Sequence, residues 1–134
     1  MYWLVKSDPE TYGWEEFQKD KITSWDGIRN YAARIHLRAM KAGDDVLFYH
    51  SNKDAGVVGI AKVSKESYPD PTAKEEGWVS VELKCLQSFK NPVSLKAIKA
   101  EKKLQNMVLI KISRLSVSPV TQAEYETILK MGGH

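Results

Sequence analysis

The sequence predicts an α+β domain in which short helices flank a curled, mostly antiparallel sheet of five strands. Three observations carry that class. Short runs of period-two alternation recur along the chain, stretches of helical spacing lie between and after them, and no repeat, low-complexity tract or linker interrupts the succession. At 134 residues the chain fits one domain, spanning 1–134, of the usual ~100 to 150 residues.

Tyr2–Ser7 reads as the first strand and stops at Asp8-Pro9, because the residue before a proline is steered to extended backbone and proline cannot donate to a ladder. Thr11–Asp20 reads as a helix with Trp14 and Phe17 inward. Asn30 suits the cap of a helix running to Met40, with Tyr31, Ile35 and Ala39 as its apolar stripe and Arg34, Arg38 and Lys41 on another side. Gly43 closes it. In the strand Val46–Ser51, Val46, Phe48 and His50 face one way and Leu47, Tyr49 and Ser51 the other, so two layers meet there. Gly56–Lys65 and Trp78–Phe89 supply the next strands. In the latter, Val79, Val81, Leu83 and Cys85 alternate with Ser80, Glu82 and Lys84, as a half-buried antiparallel strand requires. Ser94–Ala100 reads as a short helix and Met107–Ile112 as the fifth strand. Thr121–Lys130 reads as a last helix, with Thr121 capping and Glu124 at the capping-box position.

Apolar residues at 43% and charged residues at 28% match soluble globular averages, which argues against disorder and against a membrane protein. No run reaches the ~18 apolar residues of a bilayer-spanning helix, and MYWLVKSDPE lacks the basic and apolar regions of an export signal. Cys85 is the only cysteine and has no partner within the chain; its setting predicts a buried, inert thiol. An intracellular, reducing compartment is the default, cytoplasmic in a prokaryote or nuclear in a eukaryote, and a monomer is expected.

The net charge of +3 is too small to diagnose a nucleic-acid binder, but its distribution is uneven. Lys90–Arg114 carries +6 and leaves −3 for the rest of the chain. Lys90, Lys96, Lys99, Lys102 and Lys103 read either as a solvated face or as the place where a phosphate backbone rests.

Enzyme constellations are poorly supplied. His36, His50, His134 and Cys85 show no paired metal-ligand spacing, and neither GxxxxGK[ST] nor a GxGxxG following a strand occurs. His50 and Ser51 are neighbours in a strand and point to opposite faces, so the histidine is badly placed to activate the serine. No catalytic residue, metal or cofactor is expected.

Aromatic and polar groups coincide in three segments: Trp25-Asp26-Gly27-Ile28-Arg29-Asn30-Tyr31, Phe48-Tyr49-His50-Ser51-Asn52, and Tyr2-Trp3 leading to Lys6-Ser7-Asp8-Pro9. A planar base needs a flat apolar surface to stack on and a few donors and acceptors to read its edge, and these segments supply both. Each residue also has a bland reading. Trp3 and Trp14 suit the core, Trp25 could plug one end of a barrel, Asn30 could be only a helix cap, and His50 could be a core histidine bonded to nearby backbone.

WDGIRNY, LRAMKAGDDVLFYHSN (Leu37–Asn52) and LQNMVLIKISRLSVSPVT (Leu104–Thr121) occur together and in this order. By these motifs the chain resembles EVE-domain proteins of the PUA-like superfamily from about Tyr2 to Leu129. The resemblance implies a five-stranded pseudobarrel flanked by helices, with a pocket like that of YTH domains, which read a modified base. It places Ser7, Trp25, Asn30, His50 and Ser51 near that pocket and extends to Arg29, Trp78 and Arg114. Where the family commonly has KSEP, this chain has Lys6-Ser7-Asp8-Pro9. The expected function is a non-enzymatic module that recognises a modified or extruded nucleobase in DNA or RNA. The alternatives are a small enzyme acting on a nucleotide or modified base, with His50 or Asp8 as acid or base, and a peptide-binding domain.

Overall fold

The computed structural model describes residues 1–133; His134 lies outside the described residues. Six strands form one sheet: β1 (Tyr2–Ser7), β2 (Ile22–Trp25), β3 (Asp45–His50), β4 (Gly56–Pro69), β5 (Val79–Ser94) and β6 (Val117–Val120). Their order is β2-β5-β4-β3-β1-β6, and β1 with β3 is the one parallel pair among them. The expected α+β class and mostly antiparallel sheet hold. The sheet has six strands rather than five and remains open, with β2 and β6 as its edges.

The helices are short: α1 (Pro9–Tyr12), α2 (Trp14–Asp20), α3 (Tyr31–Ala39), α4 (Leu95–Ala100), α5 (Val108–Lys111) and α6 (Gln122–Met131), with a 3₁₀ turn at Lys102–Leu104. The helix expected over Thr11–Asp20 is two helices broken at Gly13, whose extended backbone caps α2. Ser94 caps α4 through the Ala97 N–H, and Thr121 with Glu124 forms the capping box of α6.

Alternation along the central strands divides the core between the two faces of the sheet. Trp3, Val5, Val46 and Phe48 pack with Trp14, Phe17, Ala33 and Leu37 on one face. Leu4, Leu47 and Tyr49 pack with Ile98, Leu104, Tyr125 and Ile128 on the other. Gly59 lies directly against the Trp14 ring, where a Cβ would have no room. Trp3 and Trp14 are core residues, and Trp3 Nε1 donates to Asp44 at 2.9 Å.

Four local readings are corrected. Met107–Ile112 is not a strand: Val108–Lys111 is a helical turn that buries Leu109, with Met107 buried just before it. The apolar stripe of α3 is not Tyr31, Ile35 and Ala39. Tyr31 and Ile35 are 68% and 63% exposed, Ala39 is exposed, and the buried residues are Ala33 and Leu37, followed by Met40. Cys85 is half-buried rather than buried, and that partial burial raises its thiol pKa. Trp25, grouped from sequence with the Asp26–Tyr31 segment, instead ends strand β2, paired with Val81 and buried.

Candidate functional site

The parallel pairing of β1 with β3 sets Ser7 opposite His50, and the Ser51 N–H donates to the Ser7 carbonyl at 3.0 Å. Lys6-Ser7-Asp8 and His50-Ser51-Asn52 therefore meet at one end of the sheet. Beside that end is a depression of about 540 Å³. Its walls are Lys6, Ser7 and Asp8 from the end of β1, Thr11 and Tyr12 from α1, Thr23 to Asp26 from β2 and its exit, and Ile28.

Trp25 is 7% exposed, so it is a core residue whose remaining surface lines this depression. Its ring meets Phe48 edge-on at 5.6 Å and Tyr12 edge-on at 6.3 Å. The Tyr12 hydroxyl donates to Asp20 at 2.8 Å, and burial with the nearby Asp20 carboxylate pushes its pKa up to about 12. Tyr12 is thus a neutral phenol across the physiological range. Ser7 Oγ donates to the Tyr12 carbonyl at 2.5 Å, which holds α1 against β1 and leaves the oxygen's lone pairs as acceptors. Asp8 Oδ1 accepts the Glu10 N–H at 2.9 Å as the cap of α1, a role open to the shorter carboxylate of KSDP. Ser24 Oγ is paired with the Tyr68 hydroxyl at 2.6 Å.

The other residues singled out from sequence are placed around the depression, not in it. Asn30 Oδ1 accepts the Ala33 N–H at 2.9 Å and caps α3. His50 Nε2 accepts the Trp14 N–H at 3.0 Å, and the ring lines a different depression with Gly13, Glu16 and Ser88. Burial lowers the His50 pKa, against an opposing pull from Glu16. Ser51 and Arg114 line a neighbouring depression of about 480 Å³, of which Lys6 is also a wall.

Arg29 donates to Asp70 at 2.9 Å and to Thr72 Oγ1 at 3.1 Å. Asp70 also accepts the Gly27 N–H at 2.9 Å, made possible by a Gly27 φ of 76°, a backbone conformation that favours glycine. Burial alone would raise this carboxyl. The Thr72 hydroxyl, the Arg29 guanidinium and the backbone N–H groups of Gly27 and Thr72 outweigh it and hold the pKa well below the usual carboxylate range. Trp78 packs on Tyr31 with centroids 5.2 Å apart, while the Arg34 guanidinium lies 4.5 Å from the Trp78 ring and Arg29 lies 5.6 Å from it. The predicted phosphate lysines are split. Lys96 and Lys99 line one depression, Lys103 lines another that shares no wall with it, and the Lys90 backbone bonds to Gly132.

Sequence reasoning did not single out Tyr12, Thr23, Ser24 or Asp70. Asp70 had a legible signal: in Pro-Asp-Pro-Thr the aspartate accepts the N–H two residues on, at 2.8 Å, as an Asx turn does. Thr23 and Ser24 had none, because they reach the depression only through the pairing of β2 with β5, while α1 brings Tyr12 beside Ser7. Among the described residues, no group of three or more His, Cys, Asp or Glu side chains could hold a metal ion, and no helix is long and apolar enough to cross a membrane.

The family model for the EVE domain matches residues 1–131. Human thymocyte nuclear protein 1 is 35% identical over 164 aligned positions, covering 97% of this chain and 73% of that protein. The crystal structure of the human protein in complex with 5-methylcytosine-containing DNA superposes with a TM-score of 0.89 at 35% identity, covering 99% of this chain and 98% of that one. The YTH domain of Zygosaccharomyces rouxii MRB1, solved in complex with N6-methyladenosine RNA, shares 13% identity at a TM-score of 0.62 over 99% of this chain and 86% of that one. That likeness is one of fold alone and is consistent with a PUA-like architecture. On the match over residues 1–131 and the identity to the human protein, the chain belongs to the EVE-domain family.

Proposed function

We propose that this chain is a binding module for a modified or extruded nucleobase in DNA or RNA, and that the base enters the depression lined by Trp25 and Tyr12. The observation that carries this reading is the lining itself. Two aromatic rings stand beside hydroxyls from Ser7, Thr11, Thr23 and Ser24 and the carboxylate of Asp26. Rings give any base an apolar contact, while hydroxyl and carboxylate groups select among base edges. A base stacked within a duplex cannot reach a concave site of this kind, so the nucleotide would be extruded or already single-stranded. The 35%-identical human relative, solved with 5-methylcytosine-containing DNA, supports the choice of ligand class.

Binding without turnover is favoured by the state of the reactive groups. Ser7 Oγ gives its proton to a backbone carbonyl, and His50, which β-pairing sets opposite Ser7, holds the Trp14 N–H in a different depression. Neither forms the nucleophile and base pair that serine-based acyl transfer uses.

The test is a fluorescence anisotropy titration with duplex and single-stranded DNA carrying one 5-methylcytosine, the matching unmodified DNA, and RNA with and without N6-methyladenosine. A preference for at least one modified member over its unmodified twin, with the oligonucleotide recovered unchanged, is the expected result. Equal affinity within every pair, or release of an altered base, overturns the reading.

A further inference from the structure

We infer that a nucleic-acid strand whose base enters the Trp25 depression lays its phosphates along a basic trough that leaves that depression past Lys6 and Arg114 and ends at Lys53, Lys96 and Lys99. The inference rests on the proposed reading of the depression and adds the course of the polymer.

Three depressions share walls. Lys6 lines both the Trp25 depression and the next one, and Asn52, Ala55 and Leu95 line both that one and a third of about 660 Å³. The result is one continuous surface path. Charge is sorted along it. At the Trp25 end stand the carboxylates of Asp8 and Asp26, whereas beyond Lys6 the walls carry Arg114, Lys53, Lys96 and Lys99 against Asp54 alone.

These cations are uncommitted. Among the described residues, the side chains of Arg114, Lys53, Lys96 and Lys99 are exposed and take part in no ion pair or hydrogen bond. Lys6 Nζ is held by the Ser113 carbonyl at 2.6 Å and keeps two further N–H donors at the junction. A single phosphate calls for donors converging on one point, but here the charges are spread along a path. That spacing suits a phosphodiester chain, from which each neutralised phosphate releases its condensed counterions.

The path also explains why the lysine-rich segment does not act as a block. Lys103 lies in a separate depression beside Glu101 and Glu126, and Lys90 sits at the Gly132–Gly133 end of the chain. Lys53, from outside that segment, and Arg114, from its far end, line the trough with Lys96 and Lys99.

The test compares the wild type with two triple variants, K53Q/K96Q/K99Q in the trough and K90Q/K102Q/K103Q outside it. Affinity for duplex DNA carrying one 5-methylcytosine, and for the same duplex unmodified, is measured at several salt concentrations, and thermal unfolding checks that all three proteins fold alike. The trough variant should flatten the slope of log affinity against log salt by roughly 0.9 for each phosphate no longer neutralised, about 2 to 3 in all, while keeping the ratio of modified to unmodified affinity. The outside variant should keep both. An unchanged slope in the trough variant, or an equal flattening in both variants, overturns the trough. If the wild type binds both duplexes equally, the base reading fails while the slopes still decide the trough. A wild type that binds neither at any salt overturns both.

Discussion

The Arg29 guanidinium donates to the Asp70 carboxylate at 2.9 Å and joins the segment after β2 to the loop between β4 and β5. Asp70 is fully buried on its side-chain atoms, whereas the Arg29 side chain is 39% exposed. The carboxylate is therefore the member that has lost water, and it recovers hydrogen bonds from Arg29, Gly27 and Thr72. Removing it by Asp70→Ala leaves those donors without their acceptor. The expected cost is about 1 to 3 kcal/mol of unfolding free energy in urea.

The same pair imposes a pH dependence. The Asp70 pKa is lower in the folded protein than in the unfolded chain, so on acidification the unfolded chain takes up the proton first. Its contribution is complete above the unfolded value of ~3.9 and is lost as pH falls through that value toward the folded one. The stability gap between wild type and Asp70→Asn should be constant from neutrality to mild acid and shrink below about pH 4. A gap that stays constant well below the unfolded pKa would show that the carboxylate charge is not what Arg29 holds.

His50 lines a depression distinct from that of Trp25. Its Nε2 can accept the Trp14 N–H only while neutral, and burial lowers its folded pKa below the unfolded ~6.5. The stabilisation is present above the unfolded pKa and fades as pH falls through the folded one. His50→Ala should cost about 1 to 2 kcal/mol at about pH 8 and less at about pH 5. His36 is also lowered by burial, so the comparison belongs in a His36→Gln background. The affinity ratio between modified and unmodified DNA should not move, because the histidine is turned away from the proposed base site. A changed ratio would return His50 to that site.

Asn30→Ala should lower stability by about 0.5 to 2 kcal/mol through loss of the α3 cap and leave the same affinity ratio unaltered. A native melting temperature with a lower ratio would assign Asn30 to recognition instead.

Trp25 needs a gentler substitution than alanine. Its ring fills space against Phe48 and Tyr12, so Trp25→Ala should destabilise by about 3 to 5 kcal/mol through the cavity left behind. Trp25→Phe keeps part of that packing and should still weaken binding of the modified oligonucleotide. Unchanged affinity in a folded Trp25→Phe protein would make Trp25 structural only.

The legible parts of this fold were those with long or capped patterns. Alternation in β3 and β5 and the Thr121–Glu124 box were visible because each involves several residues in phase. The edges were not. β2 is four residues long and β6 is four residues containing Pro119, and an edge strand tolerates the proline that sequence reasoning takes as a stop. Met107–Ile112 failed for the opposite reason, since a short apolar run does not distinguish a strand from one buried helical turn. Tyr31 and Ile35 looked like a core stripe, but α3 turns Ala33 and Leu37 inward. The candidate site inherits these limits. Ser7 was visible at the end of β1, whereas Thr23 and Ser24 join it only through β2, the strand that left no pattern, and Tyr12 joins it through α1, which the break at Gly13 separates from α2.

The most direct measurement is the structure of this chain bound to a short DNA carrying one 5-methylcytosine. The methylated base is expected in the depression lined by Tyr12 and Trp25, with its edge within hydrogen-bonding distance of Ser7, Ser24 or Asp26. A base still stacked in the duplex, or seated on Tyr31 and Trp78 with the Trp25 depression empty, would contradict it.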